Sequence, residues 1–110
     1  MGLTKTEIFT AEINEVSAFA KAIGHPARLL IIKHLLQRET CVCGDLVQEI
    51  GLAQATISQH LKALKEARII TGTVEGTSTC YCLDAKRWNF MKTKLDQQLT
   101  VAQSCGTDCC

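Results

Sequence analysis

At 110 residues, 46% hydrophobic and 21% charged, the chain has the length and balance of one modest folded domain rather than a disordered segment, with a core small enough to leave room for self-association. No apolar run approaches a membrane span, and Lys5, Glu7 and Glu12 stand where a signal peptide needs its apolar stretch, so the expected location is cytoplasmic, with no membrane partner. Twelve Lys+Arg against eleven Asp+Glu leave a formal charge of +1, which neither demands nor forbids nucleic acid; placement decides, and between Gln54 and Arg68 three basic residues face one acidic residue.

Residues 4 to 23 carry an apolar stripe, Phe9, Ile13, Val16, Ala20 and Ile23, at helical spacing, with Thr4 or Thr6 as its cap. Gly24 ends that helix and His25-Pro26 opens the next, proline being tolerated at a first helical position because the N–H it lacks has no intrahelical partner there. Leu29, Leu30, Ile31, Ile32, Leu35 and Leu36 cover most of the second helix's circumference, which places it at the centre of the fold. After a polar break at Arg38-Glu39-Thr40, Cys41 and Cys43 stand at the head of a short helix whose inward face is Leu46, Val47 and Ile50 and which Gly51 stops. A further helix over residues 55–67 has Ile57, Leu61 and Leu64 on one side and polar residues around the rest. Two short helices joined by a tight glycine turn make a helix-turn-helix.

Ile69 to Val74 and Thr79 to Leu83 read as strands joined by a tip at Glu75-Gly76-Thr77-Ser78, a hairpin placed as a wing. From Ala85 to Ala102 the stripe Trp88, Met91, Leu95, Leu99, Ala102 gives a last amphipathic helix, and Gln103 to Cys110 shows no periodicity. The fold class is therefore mostly α with a small β-hairpin, a winged helix-turn-helix. Residues 1–102 are expected to form the folded winged-helix domain and 103–110 a flexible Cys-rich tail.

A helix that enters the major groove needs side chains short enough to approach and able to donate or accept at base edges. Gln54, Thr56, Ser58, Gln59 and His60 meet that need, with Lys62 and Lys65 placed for phosphates; His60, beside Leu61, could equally cap or pack. The wing tip lacks Arg or Lys and carries Glu75, so wing contacts should be weak.

The run His25-Pro26-Ala27-Arg28-Leu29, the Cys41-Val42-Cys43 head, and Gln54-Ala55-Thr56-Ile57-Ser58-Gln59-His60-Leu61 with Leu64 and Gly76 resemble the ArsR/SmtB family of bacterial metal-responsive repressors, over essentially residues 6 to 102. The resemblance implies a homodimer joined through its first and last helices, bound to double-stranded operator DNA and released when metal or metalloid binds. A symmetric dimer would present two recognition helices about one DNA turn apart.

Seven cysteines are the compositional outlier, grouped as Cys41/Cys43, Cys80/Cys82 and Cys105/Cys109/Cys110. In a reducing compartment such thiols serve as metal or redox ligands rather than as a disulfide framework. A Cys-x-Cys pair offers two sulfurs to one soft ion, and a helix N-terminus would favour their thiolate form. A four-thiolate site would require a second pair to converge. As(III) or Sb(III), and then Cd(II) or Pb(II), suit a sulfur-rich incomplete shell.

Cys-Val-Cys followed by Asp-Leu is similar to the family's arsenic or cadmium/lead site, with two departures. Gly44 intervenes before Asp45, and Leu46 and Val47 stand where some arsenic sensors carry a third cysteine, so a third ligand comes from elsewhere in the chain, from a small-molecule thiol, or not at all; Cys105, Cys109 and Cys110 could supply it or form a trigonal thiolate site by themselves. Cys80 and Cys82 share one strand face opposite Tyr81 and Leu83, which read as the packed side; the cysteines are expected outward or toward the reading helices, in a structural role or as an auxiliary soft-metal contact. The last helix has no histidine, so a zinc site there is not expected.

Together these features describe a transcriptional repressor released from its operator by arsenite or antimonite at cysteine thiolates. The alternative is a winged-helix repressor sensing oxidants or persulfides through the same thiols. A thiol enzyme or arsenic carrier is remote, because the chain has no Cys-x-x-Cys on a βαβ pattern and no Gly-rich phosphate loop.

Overall fold

The computed structural model describes residues 8–38, 41–43, 46–75 and 78–101. In chain order these form α1 (Ala11–Ile23), α2 (Pro26–Leu36), β1 (Val42–Cys43), α3 (Leu46–Ile50), α4 (Gln54–Glu66), β2 (Ile70–Glu75), β3 (Ser78–Leu83) and α5 (Ala85–Leu99). The three strands make one antiparallel sheet in the order β1-β3-β2.

The cap of α1 is Thr10, whose Oγ1 accepts from the Ile13 N–H at 3.2 Å. The expected caps, Thr4 and Thr6, lie outside the described residues, and the apolar spacing that carries the reading upstream of Thr10 comes from Phe9, which is exposed. His25 caps α2 with its Nδ1 accepting from the Ala27 N–H at 3.0 Å, and Pro26 takes the first helical position. Ala27, Ile31, Ile32 and Leu35 of α2 are buried, whereas Leu29, Leu30 and Leu36 are each about half exposed. The central helix is thus covered on one side only, against the expectation that its all-round apolarity would be enclosed.

α3 ends at Gly51, whose N–H donates to the Val47 carbonyl at 2.8 Å and whose φ of +84° lies in the left-handed region that glycine occupies without a Cβ penalty. The chain then turns through residues 51–53 into α4, which buries Ile57, Leu61 and Leu64. The end of α4 is a double reverse bond: Ile69 N–H to the Leu64 carbonyl and Arg68 N–H to the Lys65 carbonyl, both 3.0 Å. This is a Schellman closure, with Ile69 packed into the core beside Leu64, both fully buried. Arg68, in the left-handed slot at φ 60°, is where glycine is the usual occupant.

The wing pairs Ile70 with Leu83 through Glu75 with Ser78, so Glu75 and Ser78, expected in the tip, extend the strands, while Ile69, expected in the first strand, belongs to the close of α4. Asp84 caps α5, its carboxylate accepting from the Arg87 N–H at 3.1 Å. α5 lies against α1: the Trp88 ring meets Phe19 edge-on at 5.5 Å, Arg87 reaches Glu15 at 3.5 Å and Lys94 reaches Glu12 at 3.4 Å. The core gathers Val16 and Phe19 of α1, Ile31, Ile32 and Leu35 of α2, the apolar side of α4, Ile69 and Met91. It therefore fixes the reading helix from behind, leaving its polar side to solvent.

Candidate nucleic-acid interface and cysteine ladder

On α4, Gln54, Ser58, Gln59, Lys62 and Lys65 are exposed, and Thr56 is half-buried on the flank. Gln54 Nε2 donates to Ser58 Oγ at 3.1 Å, so two of the polar residues are already oriented against each other one helical turn apart. The helix has no side-chain cap at Ala53, which leaves its first-turn N–H groups without a side-chain acceptor. Lys65 runs back over the wing, its Nζ 3.4 Å from the point where a Cβ on Gly72 would sit.

His60 departs from this row. Its Nδ1 accepts from Arg28 Nε at 3.1 Å and its ring lies 4.5 Å from that of His25, so the polar contacts of His60 are with the body of the domain. Desolvation, followed by the positive field of His25 and Arg28, holds its pKa below the usual imidazole value. Arg28 also donates to the Ala22 carbonyl at 3.2 Å, so one guanidinium ties α1, α2 and α4 together. The sequence signal for this tie is the His25-Pro26-Ala27-Arg28 run, which carries the resemblance but has no spacing that marks it as a cluster with His60.

The thiols stand differently from their sequence reading. Val42 and Cys43 are strand, not the head of a helix: Val42 pairs with Tyr81 and Cys43 with Cys80, and α3 begins only at Leu46. The physical reason is that β-branched Val42 is buried in the core, and the backbone on either side of it pairs with the open edge of β3. A helix-terminus field fades within one turn, so it is not the source of thiolate character here.

Cys41 is joined to Cys82 by a disulfide, with the two Cα atoms 4.5 Å apart. Cys80 is also disulfide-bonded and is buried at 2% exposure, which overturns the outward alternative of its expected placement, outward or toward the reading helices. Both faces of β3 are packed: Cys80 is buried on one, and Tyr81 and Leu83 on the other pack against the core, with α2 as the helix that β3 meets. The Cys41–Cys82 link lines an open cleft together with Arg38, whose guanidinium is 3.7 Å from Glu49 on α3. No preformed group of three or more metal-ligating side chains stands among the described residues. Cys105, Cys109 and Cys110 lie outside them.

A glycine-stopped short helix, a second helix with an exposed amide, hydroxyl and lysine row, and a hairpin directly after it define a winged helix-turn-helix DNA-binding protein. Residues 25–71 match the family model described as bacterial regulatory protein, arsR family. The chain is 31% identical over 92 residues to the arsenical resistance operon repressor of Staphylococcus xylosus, covering 84% of this chain and 88% of that one. It belongs to the ArsR family of DNA-binding transcriptional repressors, which are regulators and not enzymes.

Among solved structures, the transcriptional repressor BigR from Xylella fastidiosa superimposes with a TM-score of 0.62 at 30% identity, covering 91% of this chain and all of that one. The homodimeric winged helix-turn-helix domain of a Mycobacterium bovis protein gives 0.62 at 25% identity, covering 91% of this chain and 94% of that one. Among the described residues, no helix is long and apolar enough to cross a membrane.

Proposed function

We propose that this repressor holds its operator as a homodimer and leaves it when a thiophilic inducer engages thiolates at Cys41 and Cys43, with arsenite or antimonite first and cadmium or lead second. The observation that carries the reading is the position of Cys41: it stands between the central helix and the reading motif and is tied across to β3, the strand paired with β2 beside α4. The donor set fits a soft ion, because sulfur is the ligand that thiophilic elements select. The name of the Staphylococcus relative supports arsenic as the first candidate. Cys41 offers no thiolate while it is disulfide-bonded, so reduction precedes binding.

In this reading Gln54, Thr56, Ser58 and Gln59 meet base edges and Lys62 and Lys65 meet phosphates, while His60 positions α4 from behind. Residues 1–102 act as one DNA-binding and dimerising unit in a cytoplasmic protein, and the tail thiols Cys105, Cys109 and Cys110 are available as further ligands.

The disulfide itself favours a second reading, in which oxidation of Cys41 and Cys82 is the signal; disulfides in reducing compartments are transient and sensory. One titration separates the two. Fluorescence anisotropy of the reduced protein on DNA from upstream of its gene would follow arsenite, antimonite, cadmium, lead, zinc and a thiol oxidant in turn. Release by stoichiometric arsenite or antimonite with zinc inert supports the metalloid sensor. Release by the oxidant alone overturns it in favour of the redox repressor.

A further inference from the structure

The Cys41–Cys82 link lies beside the Val42–Tyr81 rung of the β1–β3 ladder, and the rung after that, on the same face, sets Cys43 opposite Cys80. We propose that β3 is half of the sensor: Cys82, with Cys80 on the same face, supplies the thiolates that Cys41 and Cys43 lack. The β1–β3 ladder is then one site for a thiophilic ion that takes three or four sulfurs. This rests on the inducer reading above and deepens it by naming the missing ligands, which the tail would otherwise have to provide.

Geometry is the main support. Two thiolates on one tetrahedral ion, each about 2.3 Å from it, lie roughly 3.8 Å from each other. Opposed residues of an antiparallel pair hold their Cβ atoms about 4.5–5.5 Å apart, and the Cα atoms of Cys41 and Cys82 are 4.5 Å apart. A pair that can close as a disulfide can therefore also hold both sulfurs on an ion after a small side-chain rotation. Residues two apart on a strand are roughly 6.8 Å apart along it, a gap that rotation about Cα–Cβ narrows enough for the two cysteine pairs to share the ion.

The topology adds a reason for such a site to matter. β3 packs on α2 and pairs with β2, which packs on α4, while Cys82 borders the cleft with Arg38, whose partner Glu49 is on α3. An occupant held between β1 and β3 thus touches both the strand that enters the helix-turn-helix and the strand paired with the one that packs on its second helix.

The chemistry balances without a hidden partner. Each disulfide first takes two electrons and two protons from a dithiol reductant, giving two thiols. Three thiols of the ladder then replace the three oxygens of arsenous acid, three sulfur–arsenic bonds forming as three arsenic–oxygen bonds break, and the thiol protons leave in three waters. With a divalent cation, four thiols release four protons. Ion and disulfide are mutually exclusive at the same sulfurs.

The test uses the full chain reduced with a phosphine, titrated with cadmium and with arsenite while the sulfur-to-metal absorption band is followed. Cys82→Ser is expected to weaken binding at least tenfold and to diminish the band as Cys41→Ser does, while the triple tail variant C105S/C109S/C110S binds like the wild type. Binding within twofold of wild type in Cys82→Ser, or a loss confined to the tail variant, overturns the ladder site but leaves the inducer reading standing. Absence of any band in the reduced wild type overturns both.

A second measurement needs no variant. Wild type loaded with cadmium and then exposed to glutathione disulfide should be protected from re-forming the Cys41–Cys82 link, as read by peptide mass mapping. Unchanged disulfide formation overturns the site.

Discussion

Nδ1 of His60 can accept from the Arg28 guanidinium only while the imidazole is neutral, and the fold enforces that state by desolvation and by the nearby charges of His25 and Arg28. In the unfolded chain the ring titrates near 6.5; in the fold it titrates lower. Between those two values the unfolded chain holds the extra proton, so this residue leaves stability untouched above about pH 6.5, erodes it as pH falls through the window, and adds no further loss below the folded pKa. Thermal unfolding from pH 7.5 to pH 5 should show that decline. His60→Asn, whose amide oxygen accepts from Arg28 at any pH in the range, should flatten it. Equal slopes for the two proteins would show that the His60 ring is not the titrating group.

The elements legible in the sequence are those whose pattern is local. The glycine stop at Gly51, the Ile57, Leu61, Leu64 stripe and the β-branched run of the wing each lie within one element and its boundary; the first two stand where the sequence places them, and the wing strands differ by one residue at their ends. β1 is not legible: two residues have no periodicity, and the disulfide partner of Cys41 lies 41 residues downstream. Alternation also fails for β3, because a strand packed on both faces has no solvent side to mark. The candidate site divides the same way. The α4 row is polar and exposed as the sequence suggests, apart from His60 and the half-buried Thr56, whereas the second cysteine pair has surroundings that its alternation does not reveal. At the end of α4, Arg68 occupies a left-handed slot that costs an L-residue about 1–2 kcal/mol. Arg68→Gly, after allowing for glycine's greater unfolded freedom, should stabilise by about 0.5–1 kcal/mol and raise Tm by roughly 2–8 °C. A lowered Tm would mean that the Arg68 side chain contributes more than its backbone strain removes.

At the scale of the molecule, the α1–α5 side is left apolar. Phe9 just before α1, Ile13 on α1, and Leu99 near the end of α5 are exposed by 48%, 39% and 71%. In the proposed dimer these are the residues a second copy covers, and a two-fold operator rewards two linked readers far more than one. Leu99→Asp should therefore shift the protein to monomer in sedimentation velocity at micromolar concentration and weaken operator binding by tenfold or more. A wild type that sediments as a monomer would overturn the dimer, and a variant that still dimerises would move the interface elsewhere.

The strand order has one more result. With β3 in the middle of the sheet, its outer edge is closed by β1 alone, a two-residue segment. An uncovered edge is a template for pairing with another chain, and most proteins blunt it with charge, proline or a bulge. Here the guard is a two-residue strand held by its pairing with β3, by the buried Val42 side chain and by the Cys41–Cys82 link beside it, so the shortest strand of the fold is also what closes the sheet on that side.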